Sequence, residues 1–133
     1  MEWMNQVYMN LKKFKGGLAV EEMEVGEYVR TIYGEIAKIT QVYPRIKGIK
    51  RKNQTLIDFN LIKKHSKNII DLIEVGDIVN SYIVLDVMED LQTGEIQLEM
   101  PSSYPKEGSC TIYNNEIKTI LTKEQFEQNS YKV

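Results

Sequence analysis

The heptapeptide Glu24-Val25-Gly26-Glu27-Tyr28-Val29-Arg30 returns fifty residues later as Glu74-Val75-Gly76-Asp77-Ile78-Val79-Asn80, with four of seven positions identical. After each glycine, apolar and polar residues alternate with the period of a half-buried strand, and the glycine permits the tight bend or bulge that starts it. A second echo follows. Ser66-Lys67-Asn68-Ile69-Ile70-Asp71 matches Thr122-Lys123-Glu124-Gln125-Phe126-Glu127 in its hydroxyl, its lysine, one apolar position and its acid. The first echo opens a unit and the second closes it, so the chain reads as two units of one plan.

Between these marks the alternation continues. Residues 35–42 alternate through Ile36, Lys38, Ile39 and Val42, a turn follows at Pro44, and residues 55–62 form another apolar-rich run. In the second unit residues 82–88 and 95–100 alternate on either side of Leu91-Gln92-Thr93-Gly94, a hairpin signal. Short strands joined by short turns, with no long crossover helix, predict antiparallel pairing. Each unit is then expected to end in one helical turn. Thr122 and Gln125 have the spacing of a capping box, whereas Ser66 can cap but has Ile69 where the partner would stand. Ile70 and Phe126 are expected to plug an open barrel end. Residues 2–14 differ: Trp3, Met4, Val7, Tyr8, Leu11 and Phe14 fall on one helical stripe that stops at Gly16-Gly17, which predicts an amphipathic helix. Docking on the chain's own sheets is its expected role, with a partner or a membrane surface as alternatives.

The formal net charge of −2 is a cancellation. Residues 38–67 carry nine basic and one acidic group, and residues 68–109 carry one basic and nine acidic. That division excludes both a uniformly basic nucleic-acid coat and a uniformly acidic mimic. No stretch approaches the roughly 18 apolar residues of a membrane helix, and the N-terminus has no secretory pattern. Cys110 has no second cysteine to pair with, which suits a reducing compartment. A cytoplasmic protein with no membrane partner is therefore expected.

Little material is present for catalysis. His65 lies in Lys63-Lys64-His65-Ser66-Lys67, with no carboxylate or nucleophile beside it in sequence, and reads as exposed or structural. Cys110 reads as a small buried or half-buried strand residue. No paired-cysteine, His-Glu-x-x-His or calcium-loop spacing occurs, and the glycines are scattered at turns rather than gathered into a phosphate loop. Neither a metal nor a cofactor is expected. Asp86, Glu89, Asp90 and Glu95 form an acidic patch that reads as a solvated hairpin, with weak divalent-cation binding as the alternative. The strongest binding candidate is basic: Tyr43, Arg45, Lys47, Lys50, Arg51, Lys52, Lys63, Lys64 and Lys67. A protein contact or a solvated loop is the expected reading of such a charge run; the alternative is that these groups neutralise several phosphates of a nucleic acid or anionic ligand while Tyr43 stacks on a base or ribose. The two charged segments can also meet each other, within one molecule or head to tail between copies, and the N-terminal helix offers another route to a homo-oligomer.

Val25–Thr31, Asn68–Asp77 and Ile117–Glu127 together resemble a family of small proteins encoded by phages and prophages of low-GC Gram-positive bacteria. The resemblance covers residues 24–133; residues 1–23 precede the family's usual opening strand. The Val-Gly-acid-x-Val strand is separately similar to the start of SH3-like barrels, which serve as protein and nucleic-acid adaptors. The resemblance implies a mainly β protein of two small SH3-like antiparallel barrel units, each closed by a short helical turn, behind an N-terminal amphipathic helix. The expected boundaries are 1–23 for the helical extension, 24–72 for the basic unit and 73–133 for the acidic one. With no catalytic constellation and segregated charge, it points to a non-enzymatic accessory protein that engages a host protein or ribonucleoprotein, such as an inhibitor of a defence nuclease or effector. A nucleic-acid-binding module built on a basic loop at 43–67 and a sponge for a cyclic nucleotide signal are the alternative functions.

Overall fold

In a computed structural model that describes residues 23–52 and 55–130, both Glu-Val-Gly-acid segments fold into the same hydrogen-bonded turn. Glu27 N–H donates to Glu24 O and Asp77 N–H to Glu74 O, each at 3.1 Å. The acid side chain then accepts the first residue's N–H, at 2.6 Å from Glu24 N to Glu27 Oε2 and 2.7 Å from Glu74 N to Asp77 Oδ2. Gly26 and Gly76 hold φ at +95° and +94°, in the region that favours glycine. Each turn also exchanges two backbone bonds with a following segment, Gly26 and Glu27 with Ile39, and Gly76 and Asp77 with Val84.

The chain divides into two compact units. The first holds β1 (Tyr28–Thr31), β2 (Ile36–Tyr43), β3 (Gly48–Arg51), β4 (Leu56–Asp58) and β5 (Ile62–Ser66) in one antiparallel sheet of order β4-β3-β2-β1-β5. Val29, Ile39, Ile49, Ile57, Phe59 and Ile62 cluster with Met23 beneath it. Removing each such side chain from water contributes about 1.5 to 3 kcal/mol, which gives the period-2 pattern its force.

The second unit comprises Tyr33–Glu35 and the chain from Asn68 onward. It contains β6 (Ile78–Val79), β7 (Tyr82–Ile83), β8 (Asp86–Glu89), β9 (Ile96–Glu99), β10 (Thr111–Ile112), β11 (Ile120–Leu121) and the helix α1 (Lys123–Asn129). Two three-stranded antiparallel sheets, β10-β9-β8 and β11-β6-β7, share a core of Ile70, Ile73, Val79, Val84, Leu98, Met100 and Ile112. Asn80 occupies the β6–β7 turn at positive φ, and its side chain reaches Tyr104 Oη, the Glu116 carbonyl and the Lys118 and Thr119 N–H groups. Thr122 and Gln125 form the expected capping box.

Five expectations change. No ladder closes either unit into a barrel among the described residues. The run 55–62 is not one strand: Asp58 Oδ1 accepts Asn60 N–H and turns the chain into a 3-10 turn at Phe59–Leu61. The basic segment 43–67 is not a loop, because Ile49 and Ile57 are buried and hold β3 and β4 in the sheet. Ser66 ends β5 instead of capping; the 3-10 turn Ile69–Leu72 starts after Asn68, which makes no side-chain cap bond. Ile70 is buried in the second core, but Phe126 is 52% exposed and plugs nothing. The helix expected over residues 2–14 lies outside the described residues.

Glycine substitutions test the turns. Gly26→Ala meets open space and should cost about 1 to 3 kcal/mol through backbone strain alone. At Gly34 φ is +86° and a Cβ would stand 2.3 Å from Thr122 Oγ1, so Gly34→Ala should cost more. Urea unfolding of the two variants checks the order; a milder Gly34→Ala would show that this close approach to Thr122 is wrong.

Candidate functional site

Strand register decides which basic residues share a surface. Val42 pairs with Ile49 and Ile49 with Ile57 on the buried face, so the alternate positions Gln41, Tyr43, Lys50 and Leu56 lie on the outer face. Val29 pairs with Ala37 against the core, which puts the neighbouring pair Tyr28 and Lys38 outside too. Two lysine-over-ring contacts result: Lys50 Nζ stands 5.6 Å from the Tyr43 ring centroid and Lys38 Nζ 5.6 Å from that of Tyr28. Tyr43 Oη donates to the Gln41 side chain. Arg45 and Lys47 are exposed in the β2–β3 turn beside Tyr43.

Tyr43, Arg45, Lys47 and Lys50 thus gather at one end of β2, and Tyr28 and Lys38 form a second pair on the outer side of the sheet, beyond the irregularity at Ile39–Gln41. The remaining basic candidates are spread. Arg51 pairs with the buried Ile39, on the inner side of the sheet, and Lys52 is exposed beyond β3. Lys64 sits on β5 opposite Arg30, and Lys63 is half-buried beside Ile62. Lys67 pairs with Glu24 at 3.7 Å, an exposed ion pair worth little. Tyr28 and Lys38 each carried a signal, an alternating position in a predicted strand, but only pairing of β1 with β2 brings them together.

His65 has a carboxylate after all. Antiparallel pairing sets it opposite Val29 on β1, and its Nδ1 lies 3.2 Å from Glu27 Oε1. The other oxygen of Glu27 closes the first turn, and the corresponding Asp77 closes the second while its Oδ1 accepts Lys123 N–H at 3.0 Å. The turn acid ties down a later segment in both units, with an imidazole in one and a backbone amide in the other. His65 is thereby tied to the first turn.

In the acidic patch, Asp90 Oδ1 accepts the Gln92 and Thr93 N–H groups and so builds the β8–β9 turn. Asp86 Oδ1 accepts Val87 N–H, and Glu89 pairs with Ile96 across the hairpin. Among the described residues no three His, Cys, Asp or Glu gather into a metal-binding group. Glu95 instead borders a cleft of about 690 Å³ that the sequence reading missed, walled by Asn68, Ile70 and Asp71, by Thr93–Ile96 and by Tyr113–Asn115. Asn114 Oδ1 accepts Ile70 N–H across it at 3.0 Å. The Asn114–Glu116 turn is fastened from behind, where Lys106 Nζ lies 2.7 Å from Glu116 and Tyr113 N–H donates to Glu116 at 3.0 Å. The hydrogen bond from Lys106 is the main reason the Glu116 carboxyl ionises below its ordinary value. Asparagines at such turns look in sequence like any others.

Comparison with protein-family models, with curated proteins and with solved structures finds no match for the chain.

Two ion pairs set a pH window for the second unit. Glu116, with its pKa lowered in the fold, adds stability that is present above its ordinary value of 4.5 and is lost as pH falls through the lowered one. Lys123, raised chiefly by its hydrogen bond to Glu74 at 2.8 Å, adds stability that is present below 10.5 and is lost as pH rises through the raised value. Both groups are partly solvated, so each limb should be shallow. Thermal melts across pH should show Lys106→Met flattening the acid limb and leaving the alkaline one; an unchanged acid limb would refute the assignment.

Proposed function

We propose that the protein is a non-enzymatic binding protein whose first unit takes single-stranded nucleic acid on the outer face of its sheet. The observation that carries this reading is the two Tyr-Lys contacts on the outer side of the sheet, Tyr28 with Lys38 and, beside the Arg45 and Lys47 turn, Tyr43 with Lys50. Rings offer stacking platforms for bases of any identity, and the ammonium groups between them neutralise phosphates. Such a face binds without reading sequence closely.

Both units belong in this proposal to one SH3-like plan, an adaptor architecture, and the chain to the phage or prophage family its motifs resemble. Support comes from the matched turns, from a 3-10 turn before β5 and another before β11, and from the return of those strands to β1 and β6. In that setting the protein serves as an accessory factor that holds a host nucleic acid or ribonucleoprotein. An acidic host protein on the same face would use the lysines and the arginine but not the rings.

Fluorescence anisotropy with labelled oligo-dT and oligo-U at two salt concentrations separates these cases. Lys50→Gln should lower the salt slope by about one, and Tyr28→Leu or Tyr43→Leu should cost about 1 to 3 kcal/mol without changing it. Binding that ignores salt, or that survives loss of both rings, would sink the nucleic-acid reading.

A further inference from the structure

We infer that the cleft of the second unit is a binding site for a cationic side chain, the guanidinium or ammonium group of a basic peptide. This goes beyond the function proposed for the first unit and uses none of its residues.

The cleft, of about 690 Å³, is open to solvent along one side and has room for one side chain. Its walls bring two carboxylates from separate elements, Asp71 from the 3-10 turn Ile69–Leu72 and Glu95 from the β8–β9 turn. Asn115 and Thr93 add side-chain oxygens, and Tyr113 adds a ring. None of the described lining residues is a lysine or an arginine. The segment 68–109, which supplies most of the wall, carries nine acidic groups to one basic. Carboxylates on the wall favour a cation over a phosphate. A planar guanidinium presents donors on several edges and suits carboxylates and amide oxygens arrayed around it, as a compact ammonium does less fully.

The walls are also held before any ligand arrives. Asn114 is tied to Ile70 N–H, Asp90 fixes the β8–β9 turn through Gln92 and Thr93, and Lys106 with Glu116 braces the turn that bears Asn115. Prior ordering lowers the entropy cost of binding. Leu91 decides between a free cation and a peptide. It is 96% exposed at the tip of the turn that carries Thr93 and Glu95, and offers an apolar contact that a residue adjoining the basic one would fill.

Calorimetric titration of the full chain at low salt tests this with three probes: an acetylated, amidated Gly-Arg-Leu-Gly peptide, arginine amide, and AMP. The peptide should bind, AMP should not, and Glu95→Gln should weaken the peptide by about tenfold. Leu91→Ser should weaken the peptide and leave arginine amide unchanged. Asp71 has further bonds within the fold, so Glu95→Gln and Asn115→Leu, both at exposed turn positions, decide the outcome if Asp71→Asn unfolds. Equal binding of peptide and arginine amide would overturn the peptide and keep the cation. Binding of AMP alone, no binding of any probe at millimolar concentration, or peptide binding indifferent to Glu95→Gln would overturn the site. Lys50→Gln should leave the peptide titration as it is, so failure of the nucleic-acid reading does not carry over to this one.

Discussion

The carboxylates of Glu27 and Asp77 each accept the backbone N–H three residues upstream, at 2.6 and 2.7 Å, and each unit is arranged around that closure. It fixes where β1 and β6 start, because the glycine between acceptor and donor can hold the positive φ that the turn requires. It also leaves one carboxylate oxygen over. In the first unit that oxygen faces His65 near the end of β5; in the second it accepts the N–H of Lys123 at the start of α1. A buried acid that failed to find such partners would cost several kcal/mol, so the segments that supply them are held in register by the same group that opens the unit. Asp77 is fully buried and Glu27 nearly so, which gives the constraint its weight.

Around that frame the period-2 alternation puts Tyr28, Lys38 and Lys50 on the side away from the core, while Arg30, alternate to Val29 on β1, is fully buried. In the first unit the positions between Val29, Ile39, Ile49 and Ile57 are where Tyr28, Lys38 and Lys50 stand, so a sheet built by burying aliphatics presents cations and rings on its other face. In the second unit the alternation is broken by short strands and 3-10 turns, and a cleft forms among the turns instead of a flat face. The two units therefore differ in what they offer, a broad cationic surface in one and an acidic recess in the other. Salt weakens long-range attraction at an exposed face more than contacts inside a recess, since the Debye length at physiological ionic strength is about 8 Å.

Much of the fold was legible, and the misses have local causes. Strands β2 and β9 follow the alternation within a residue or two, and the Thr122 capping box is formed as its spacing implied, whereas the run 82–88 is divided between β7 and β8, which lie in different sheets. Strand β3 was hidden because only Ile49 in Gly48–Arg51 is a buried apolar residue, and the surrounding cations read as a loop. Residues 55–62 were read as one strand because Asp58 counts as a polar position in an alternation, although its side chain is better used capping a 3-10 turn. Of the candidate sites, Tyr43 and the neighbouring cations were named from sequence, while Tyr28 and Lys38 were not. The cleft had no sequence signal at all, since Asn68, Glu95 and Asn115 belong to three turns far apart in the chain.

By itself the sequence determined the strand period, the two glycine turns, the antiparallel β class and the division of charge, because each is a property of neighbouring residues. Only the tertiary structure decided that His65 meets Glu27 across a separation of 38 positions, that each of two tyrosines on the outer side of the sheet meets a lysine, and that Asp71 and Glu95 border one recess. These are long-range pairings, and they depend on register. A slip of one residue would send Tyr28 and Lys38 inward and Val29 and Ala37 outward, and burial of the aliphatic residues is the force that prevents it.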